Sequence, residues 1–178
     1  MIKVFDAKSN KKNEIVNKNV SMYVCGPTVY NDPHIGNIRP LLTFDVLYRL
    51  LKVQGYNVHY VHNITDIDDK IIQRAIQTNT DEMQIAKKYT EEYFKLMEAF
   101  NVFIPEIHKV SDEINEIIAF IQKLIDNKCA YVVNGDVYFD VKSIKNYGEV
   151  SHNNIQDLIN NVRIENDNNK KNPLDFAL

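Results

Sequence analysis

Hydrophobic positions in the first third of the chain follow two periods, one typical of strands and one typical of a helix. The run VSMYVC at residues 20–25 is short and apolar and ends at Gly26-Pro27, so it predicts a buried strand followed by a turn. Over residues 36–54 the apolar positions recur every three or four residues, which predicts a helix with one buried face. Residues 56–64 are rich in β-branched and aromatic side chains and predict a second strand.

A strand, a helix and a strand in this order predict a βαβ unit, in which the two strands are parallel. Pro40 falls in the predicted first helical turn, where a missing N–H costs little, and Gly55 suits the end of the helix. Ligands of such sheets bind at the carboxyl ends of the strands, here residues 25–26 and 63–66. The pattern therefore predicts the α/β class, with a Rossmann-like parallel sheet.

Three more helices and a hairpin are predicted after the second strand. Two β-rich runs flank Asn134-Gly135, a dipeptide typical of a two-residue hairpin turn. The helical patterns cover residues 68–77, 81–100 and 112–127, and Ser111 is a suitable N-cap for the last of them. The second of these helices carries an aromatic-rich stripe that we interpret as core or as a packing face for segments outside this chain, and not as a surface that stacks on RNA: Tyr89, Tyr93, Phe94, Met97 and Phe100.

Composition narrows the class of protein. Of 178 residues, 44% are hydrophobic and 25% are charged, as expected for a globular chain of about one domain. No run is apolar enough to span a membrane and no signal core is present, so we expect a cytoplasmic protein. The chain has only two cysteines, Cys25 and Cys129, which is too few for a disulfide scaffold. A net charge of −3 argues against a surface devoted to nucleic-acid phosphates.

The segment CGPTVYNDPHIGN, residues 25–37, carries the candidate chemistry. It joins the first strand to a helix N-terminus, where free N–H groups and the helix dipole favour phosphate. Gly36 leaves room against the backbone, and His34 and Asn37 can donate hydrogen bonds from fixed points. The sequence has no GxxxxGK[ST] motif, so this is not a P-loop. These features predict a nucleotide site whose phosphates gain negative charge during a reaction.

Several blocks of the sequence together resemble the cysteinyl-tRNA synthetases. YVCGPTVYNDPHIGN and NITDIDDKII are similar to signature segments of that family, and HIGN resembles its HIGH motif with Asn37 in place of the second His. GDVYFDV and NPLDFAL resemble later segments, in the expected order. The resemblance implies a class I aminoacyl-tRNA synthetase, which uses ATP to convert cysteine to cysteinyl-adenylate and transfers it to the cysteine tRNA.

The resemblance also implies roles for individual residues. His34 and Asn37 are the implied catalytic pair, which stabilises the transferring phosphoryl group, and Mg²⁺ is expected to accompany ATP. The implied ATP-binding residues are Pro27, Thr28, His34, Ile35, Gly36 and Asn37. The implied cysteine-binding residues are Cys25, Gly26, Thr65 and Asp66.

Cys25 has a further implied role as a zinc ligand. In the family the zinc binds the thiolate of the substrate cysteine, and Zn²⁺ binds soft sulfur far better than the hydroxyl of serine. The other zinc ligands, the KMSKS loop and the anticodon-binding domain of the family are expected after residue 178. We therefore expect this chain alone to be an inactive part of a monomeric enzyme, with one zinc ligand and an incomplete ATP site.

A domain division follows from the same resemblance. Residues 1–100 are predicted to form the first half of a Rossmann-like catalytic domain, and residues 101–178 an inserted helical and hairpin region. Within the latter, residues 151–172 are rich in Asn, Asp and Lys and predict a loop or mobile linker. An apolar segment then begins over residues 173–178, which indicates a truncated chain.

Simpler interpretations of several residues compete with these roles. Cys25 is alternatively a small buried hydrophobic residue at the end of a strand. His59 and His62 are interpreted as structural or exposed residues of the second strand. Three acidic residues form a run that suits a helix N-terminus and is preferred over a metal cluster: Asp66, Asp68 and Asp69.

Two other functions compete with the synthetase. A related ligase activates cysteine in the same way but transfers it to an amino-sugar, and those enzymes are associated with GC-rich organisms, which the Asn, Ile and Lys bias of this chain disfavours. A non-catalytic module that retains nucleotide affinity is the third hypothesis.

Overall fold

The computed structural model is a mixed α/β protein and describes residues 1–152 and 169–178. Most of the predicted linker, residues 153–168, lies outside the described residues. Within the described part, no helix is both long and apolar enough to cross a membrane. The strands are β1 (Lys3–Asp6), β2 (Lys11–Glu14), β3 (Asn19–Val24), β4 (Asn57–Ile64), β5 (Glu106–Lys109), β6 (Ala130–Val133), β7 (Asp136–Phe139) and β8 (Phe176–Ala177). The helices are α1 (Ile35–Val53), α2 (Asp69–Thr78), α3 (Glu82–Ala99) and α4 (Ile114–Asp126).

The described residues group into two compact units. The first is Val16–Ile114, and the second combines Met1–Ile15 with the described part of Asn115–Leu178. The predicted domain division at residue 100 falls inside the first unit, because β5 joins the same sheet as β3 and β4.

A three-stranded parallel sheet, in the order β3-β4-β5, is the centre of the first unit. β3 runs beside β4 with Val24 opposite His62, and α1 connects the two strands. The predicted parallel sheet is therefore confirmed, with strand bounds within one residue of those expected. β5 pairs in parallel with the last part of β4, with Val61 opposite Glu106. The sequence did not predict β5, because its four residues, EIHK, contain no apolar run.

Helix α1 confirms the predicted helix between the two strands. His34 is its N-cap, and Gly55 follows its end with a φ of +74°, a left-handed conformation that glycine adopts without strain. Pro40 lies in the second turn and not in the first, because the helix already begins at Ile35. Leu51 is completely buried on the inner face.

Helices α2 and α3 contact each other and enclose the main hydrophobic core. The stripe predicted on α3 is largely core, since Tyr89, Tyr93 and Met97 are buried and Phe94 packs against the buried cluster. Phe100 is the exception and is 45% exposed. The core cluster consists of Val29, Leu41, Ile64, Ile71, Ala75, Ile85, Ala86, Tyr89, Tyr93, Met97 and Val102.

The start of α4 differs from the prediction that Ser111 is its N-cap. Ser111 lies in a short 3₁₀ turn, Val110–Asp112, and α4 begins only at Ile114. The Ser111 hydroxyl donates to the Asp66 carboxylate at 2.6 Å, and the Ser111 N–H donates to the same carboxylate at 2.9 Å. Ser111 therefore binds the end of β4 and does not cap the helix.

The second unit contains two small antiparallel sheets. β1 pairs with β2, and β7 pairs with both β6 and β8. The predicted hairpin is confirmed, because Asn134 and Gly135 join β6 to β7 with φ values of +53° and +94°. Asp175 is buried in this unit and accepts hydrogen bonds from the Tyr131 hydroxyl and the Val141 N–H.

Candidate functional site

The turn after β3 is held against the end of β4 by three hydrogen bonds. The Gly26 N–H donates to Asn63 Oδ1 at 2.8 Å. Beyond it, the Thr65 N–H donates to the Pro27 carbonyl at 3.1 Å, and the Val29 N–H donates to the Thr65 carbonyl at 3.2 Å. The parallel pairing thus continues past both strand ends as an isolated bridge, and the CGPT segment has a fixed path.

Gly26 is required by how closely the two backbones approach. A Cβ atom at this position would lie 1.6 Å from the Asn63 carbonyl oxygen, far inside van der Waals contact. Glycine is therefore needed at this position for packing of the protein itself, independently of any ligand.

The start of α1 fixes the orientation of His34. Its Nδ1 accepts a hydrogen bond from the Gly36 N–H at 3.0 Å, and its own N–H donates to Asn37 Oδ1 at 2.9 Å. This is a reciprocal cap of the kind that satisfies the free N–H groups of a helix start. Since Nδ1 accepts, the neutral ring carries its proton on Nε2. The His34 Nε2–H and the Asn37 amide N–H₂ are the donors that this cap does not use.

Gly36 has a different neighbour from the one expected. The sequence suggested that Gly36 leaves room for a ligand against the backbone. In the structure a Cβ at this position would lie 2.7 Å from Cε1 and 2.9 Å from Nδ1 of His34. The absence of a side chain at Gly36 therefore makes room for the imidazole ring of His34.

A cavity of about 230 Å³ lies beside this helix start. Four residues implied as ATP-binding line it together: Pro27, Thr28, His34 and Asn37. Its opposite wall includes Lys70 of α2 and the tyrosines Tyr89 and Tyr93 of α3. The sequence interpretation assigned both tyrosines to the core or to a packing face, and not to a cavity wall. The signal that could have distinguished them is their hydroxyl group, since a buried tyrosine needs a polar partner.

His62 links the end of β3 to that wall. It is 1% exposed, its Nδ1 is 2.8 Å from the Val24 carbonyl oxygen, and its Nε2 is 3.0 Å from the Tyr93 hydroxyl. A carbonyl only accepts, so Nδ1 carries the proton and Nε2 accepts from Tyr93. Burial lowers the pKa of His62 and raises the pKa of Tyr93, which keeps both groups neutral. His62 is thus a structural residue, as interpreted from the sequence, and it is buried.

The residues implied for cysteine binding do not share one cavity. Thr65 pairs with Thr28 beside the first cavity. Asp66 lines a second cavity of about 610 Å³ together with Met83 and Phe94 of α3. Both oxygens of the Asp66 carboxylate accept hydrogen bonds from Ser111, so in this structure Asp66 fixes the segment after β5.

Cys25 has the accessibility that a metal ligand needs. Its side chain is exposed, which excludes the alternative of a buried hydrophobic residue. Among the described residues, no three His, Cys, Asp or Glu side chains converge in a way that could hold a metal ion. The donor set on this part of the chain fits one soft thiolate ligand and not a complete zinc site.

Comparison with solved structures shows the fold. The chain superimposes on a Mycobacterium tuberculosis methionyl-tRNA synthetase in complex with methionyl-adenylate, with a TM-score of 0.58 and 17% identity, over 68% of this chain and 25% of that chain. At this identity the likeness is one of fold, and it agrees with the predicted Rossmann-like sheet.

Sequence comparison shows the family. Cysteine–tRNA ligases from Malacoplasma penetrans and Ureaplasma parvum are 45% and 48% identical to this chain, and each match covers 99% of the chain. The chain spans 41% of the length of each of these relatives. The family model for the catalytic domain of class I (C) tRNA synthetases matches residues 11–178, so this chain belongs to that family.

Proposed function

We propose that this chain provides the first half of the active site of a cysteine–tRNA ligase. In the proposed reaction the carboxylate of cysteine attacks the α-phosphorus of ATP, and pyrophosphate leaves. The cysteinyl group is then transferred to the terminal adenosine of the cysteine tRNA. The observation that supports this most is the cavity at the start of α1, where Pro27, Thr28, His34 and Asn37 of the family motif converge.

His34 and Asn37 are the proposed catalytic residues. Their reciprocal cap leaves the His34 Nε2–H and the Asn37 amide as donors next to the cavity. Donors held in place by a helix start stabilise negative charge that develops on the phosphoryl oxygens, without reorganising during the reaction. The other proposed ATP-binding residues are Pro27, Thr28, Ile35 and Gly36, and Mg²⁺ is proposed to accompany the phosphates.

Cys25 is the proposed zinc ligand on this chain. When bound, zinc would supply a soft cation for the thiolate of the substrate cysteine, which separates cysteine from serine. We propose that other ligands come from outside the described residues, since these hold no group of three or more His, Cys, Asp or Glu side chains that could bind a metal ion. Gly26, Thr65 and Asp66 are proposed to border the bound cysteine, with Gly26 and Thr65 acting mainly through the backbone bonds of the turn.

The remaining proposals concern the whole protein. We propose that it is a monomer in the cytoplasm and that it contacts tRNA mainly through parts other than this chain. The overall charge supports the proposal about tRNA, since the chain has 21 Lys and Arg against 24 Asp and Glu and a net charge of −3.

The test of the proposed function is exchange of labelled pyrophosphate into ATP by the full-length protein, with cysteine or serine as the amino acid. Exchange that depends on cysteine and not on serine is the expected result. A second assay, transfer of labelled cysteine to tRNA, distinguishes the synthetase from a ligase that uses an amino-sugar. Absence of cysteine-dependent exchange in the presence of zinc would contradict the proposal and favour a binding module without catalysis.

A further inference from the structure

A third cavity, of about 160 Å³, adjoins the cavity at the start of α1. The two cavities share Tyr30, Asn31 and Lys70 in their walls. The smaller cavity is lined by Tyr30, Asn31, Lys70, Gln73, Arg74 and Gln77. All six side chains carry hydrogen-bond donors, two of them are cations at neutral pH, and no carboxylate is among these six. The composition of the wall fits an anion.

The two cations of this cavity form no salt bridge within the described part of the chain. Lys70 and Arg74 are four residues apart on α2, so they lie on the same face of the helix. In residues 1–152 and 169–178, neither one forms an ion pair with an Asp or Glu side chain. The Lys70 ammonium lies 5.7 Å from the ring centroid of Tyr30. Like charges at this spacing repel each other, so an anion between them is favoured.

Arg74 also has an unsatisfied donor. Its Nε–H is buried and has no hydrogen-bond partner within the described part of the chain. Buried donors in folded proteins are almost always paired, and an unpaired one in a cavity wall indicates that its acceptor arrives with a ligand. The planar guanidinium group presents donors in a geometry that matches phosphate oxygens.

We propose that this cavity is a phosphate subsite in which Lys70 and Arg74 bind the anion and the neighbouring amides donate further hydrogen bonds. The phosphate belongs either to ATP, whose triphosphate would extend from the first cavity, or to the backbone of the tRNA acceptor end. These two ligands rest on the proposed function, whereas the charge and the unpaired donor are properties of the chain itself.

The direct test is binding of inorganic pyrophosphate to the full-length protein, measured by calorimetry. Arg74→Gln removes the charge but keeps an amide donor, Arg74→Lys keeps the charge, and Lys52→Gln removes a charge from the last turn of α1 as a matched control. We expect the Kd for pyrophosphate to rise about tenfold in Arg74→Gln, to rise less in Arg74→Lys, and to stay unchanged in Lys52→Gln. If Arg74→Gln does not fold, Lys70→Gln provides the same test at an exposed position.

Kinetics identify the source of the phosphate. If Arg74→Gln has a higher KM for ATP than the wild type in cysteine-dependent exchange, a reaction that needs no tRNA, the subsite belongs to the nucleotide. If the KM for ATP in exchange is unchanged in Arg74→Gln but its KM for tRNA in aminoacylation is higher, the subsite belongs to the tRNA backbone. Unchanged pyrophosphate binding together with both KM values unchanged would show that the inference is wrong. If the wild-type protein lacks cysteine-dependent exchange, the proposed function fails, and the binding experiment still decides the subsite.

Discussion

At the scale of single residues, Gly26 determines whether the turn after β3 can lie against β4. The Gly26 N–H donates to Asn63 Oδ1. A Cβ atom at Gly26 would lie 1.6 Å from the Asn63 carbonyl oxygen. A backbone cannot yield as a flexible side chain can, so a substitution must separate the two strands. The positions of Pro27 and Thr28 in the cavity depend on that contact.

Gly26→Ala is therefore expected to lower the free energy of unfolding of the full-length protein by about 3 kcal/mol, at the upper end of the cost of overpacking. Gly55→Ala is the comparison, since Gly55 has open space around its Cβ position but a positive φ. Its expected cost is about 1 kcal/mol, from backbone conformation alone. Urea unfolding measures both. Equal losses in the two variants would contradict the close-approach explanation for Gly26.

His34 combines two roles that different substitutions separate. Asn is a good N-cap residue, so His34→Asn should keep the cap of α1 while it removes the Nε2–H donor. We expect kcat for pyrophosphate exchange to fall about 10²- to 10³-fold in both His34→Asn and His34→Ala. Only His34→Ala should also lose about 1 kcal/mol of stability. Normal kcat in His34→Asn would mean that His34 acts only as a helix cap.

At the scale of elements, β4 connects the two parts of the site. His62 on β4 binds the last carbonyl of β3 on one side and Tyr93 of α3 on the other. Two residues later, Ile64 is completely buried in the core between the sheet and the helices. The strand therefore fixes the wall of the cavity relative to the turn that carries Cys25.

Some of the helices and strands could be predicted from the sequence and others could not. β3, α1 and β4 could be predicted because their apolar patterns are clear. β3 and α1 are also followed by Gly26 and Gly55, which accept a close approach and a left-handed conformation. β5 could not, because its pairing with β4 is a long-range contact of a short polar segment. Ser111 was assigned to the wrong partner for a similar reason, since Asp66 lies 45 positions earlier in the chain. Local patterns specify elements, whereas these contacts depend on the assembled sheet.

The buried, neutral His62, which is hydrogen-bonded to Val24 and Tyr93, predicts that the free energy of unfolding depends on pH. Burial lowers the pKa of His62 below the 6.5 of the unfolded chain, so protons bind preferentially to the unfolded state as the pH falls. The contribution of His62 is complete above pH 6.5 and is lost as the pH falls towards the folded-state pKa, by up to about 1.4 kcal/mol per pH unit.

Urea unfolding of the full-length protein at pH 7.5 and at pH 5.5 measures this loss. His62→Asn should reduce the difference between the two pH values, because the variant has no titrating group at this position. His59→Asn is the matched control on the same strand, since His59 is exposed and its loss should leave the acid sensitivity due to His62 unchanged. An equal acid sensitivity in wild type and His62→Asn would contradict the prediction.

At the scale of the whole molecule, this chain contains the cavity at the start of α1, which is the proposed nucleotide site, and only part of the proposed metal site. All the described walls of the cavity at α1 come from one compact unit, Val16–Ile114. Cys25 by contrast is exposed and is not accompanied by a second and third ligand among the described residues. The proposed adenylate formation is therefore expected to need the whole protein, and the proposed nucleotide site and the proposed metal site can be tested separately.

Cys25→Ser in the full-length protein is expected to reduce bound zinc, measured by atomic absorption after gel filtration, because a hydroxyl is a poor ligand for Zn²⁺. The fold should remain, since the exposed Cys25 side chain has no packing role and the turn is held by backbone bonds of its neighbours. Cys129→Ser is the matched control in the same chain. Loss of zinc in Cys25→Ser but not in Cys129→Ser, with unchanged ATP binding, would separate the metal site from the nucleotide cavity. Equal zinc content in both variants and the wild type would remove Cys25 from the proposed metal site, and this chain would then provide only the proposed nucleotide cavity at His34 and the residues proposed to border the bound cysteine.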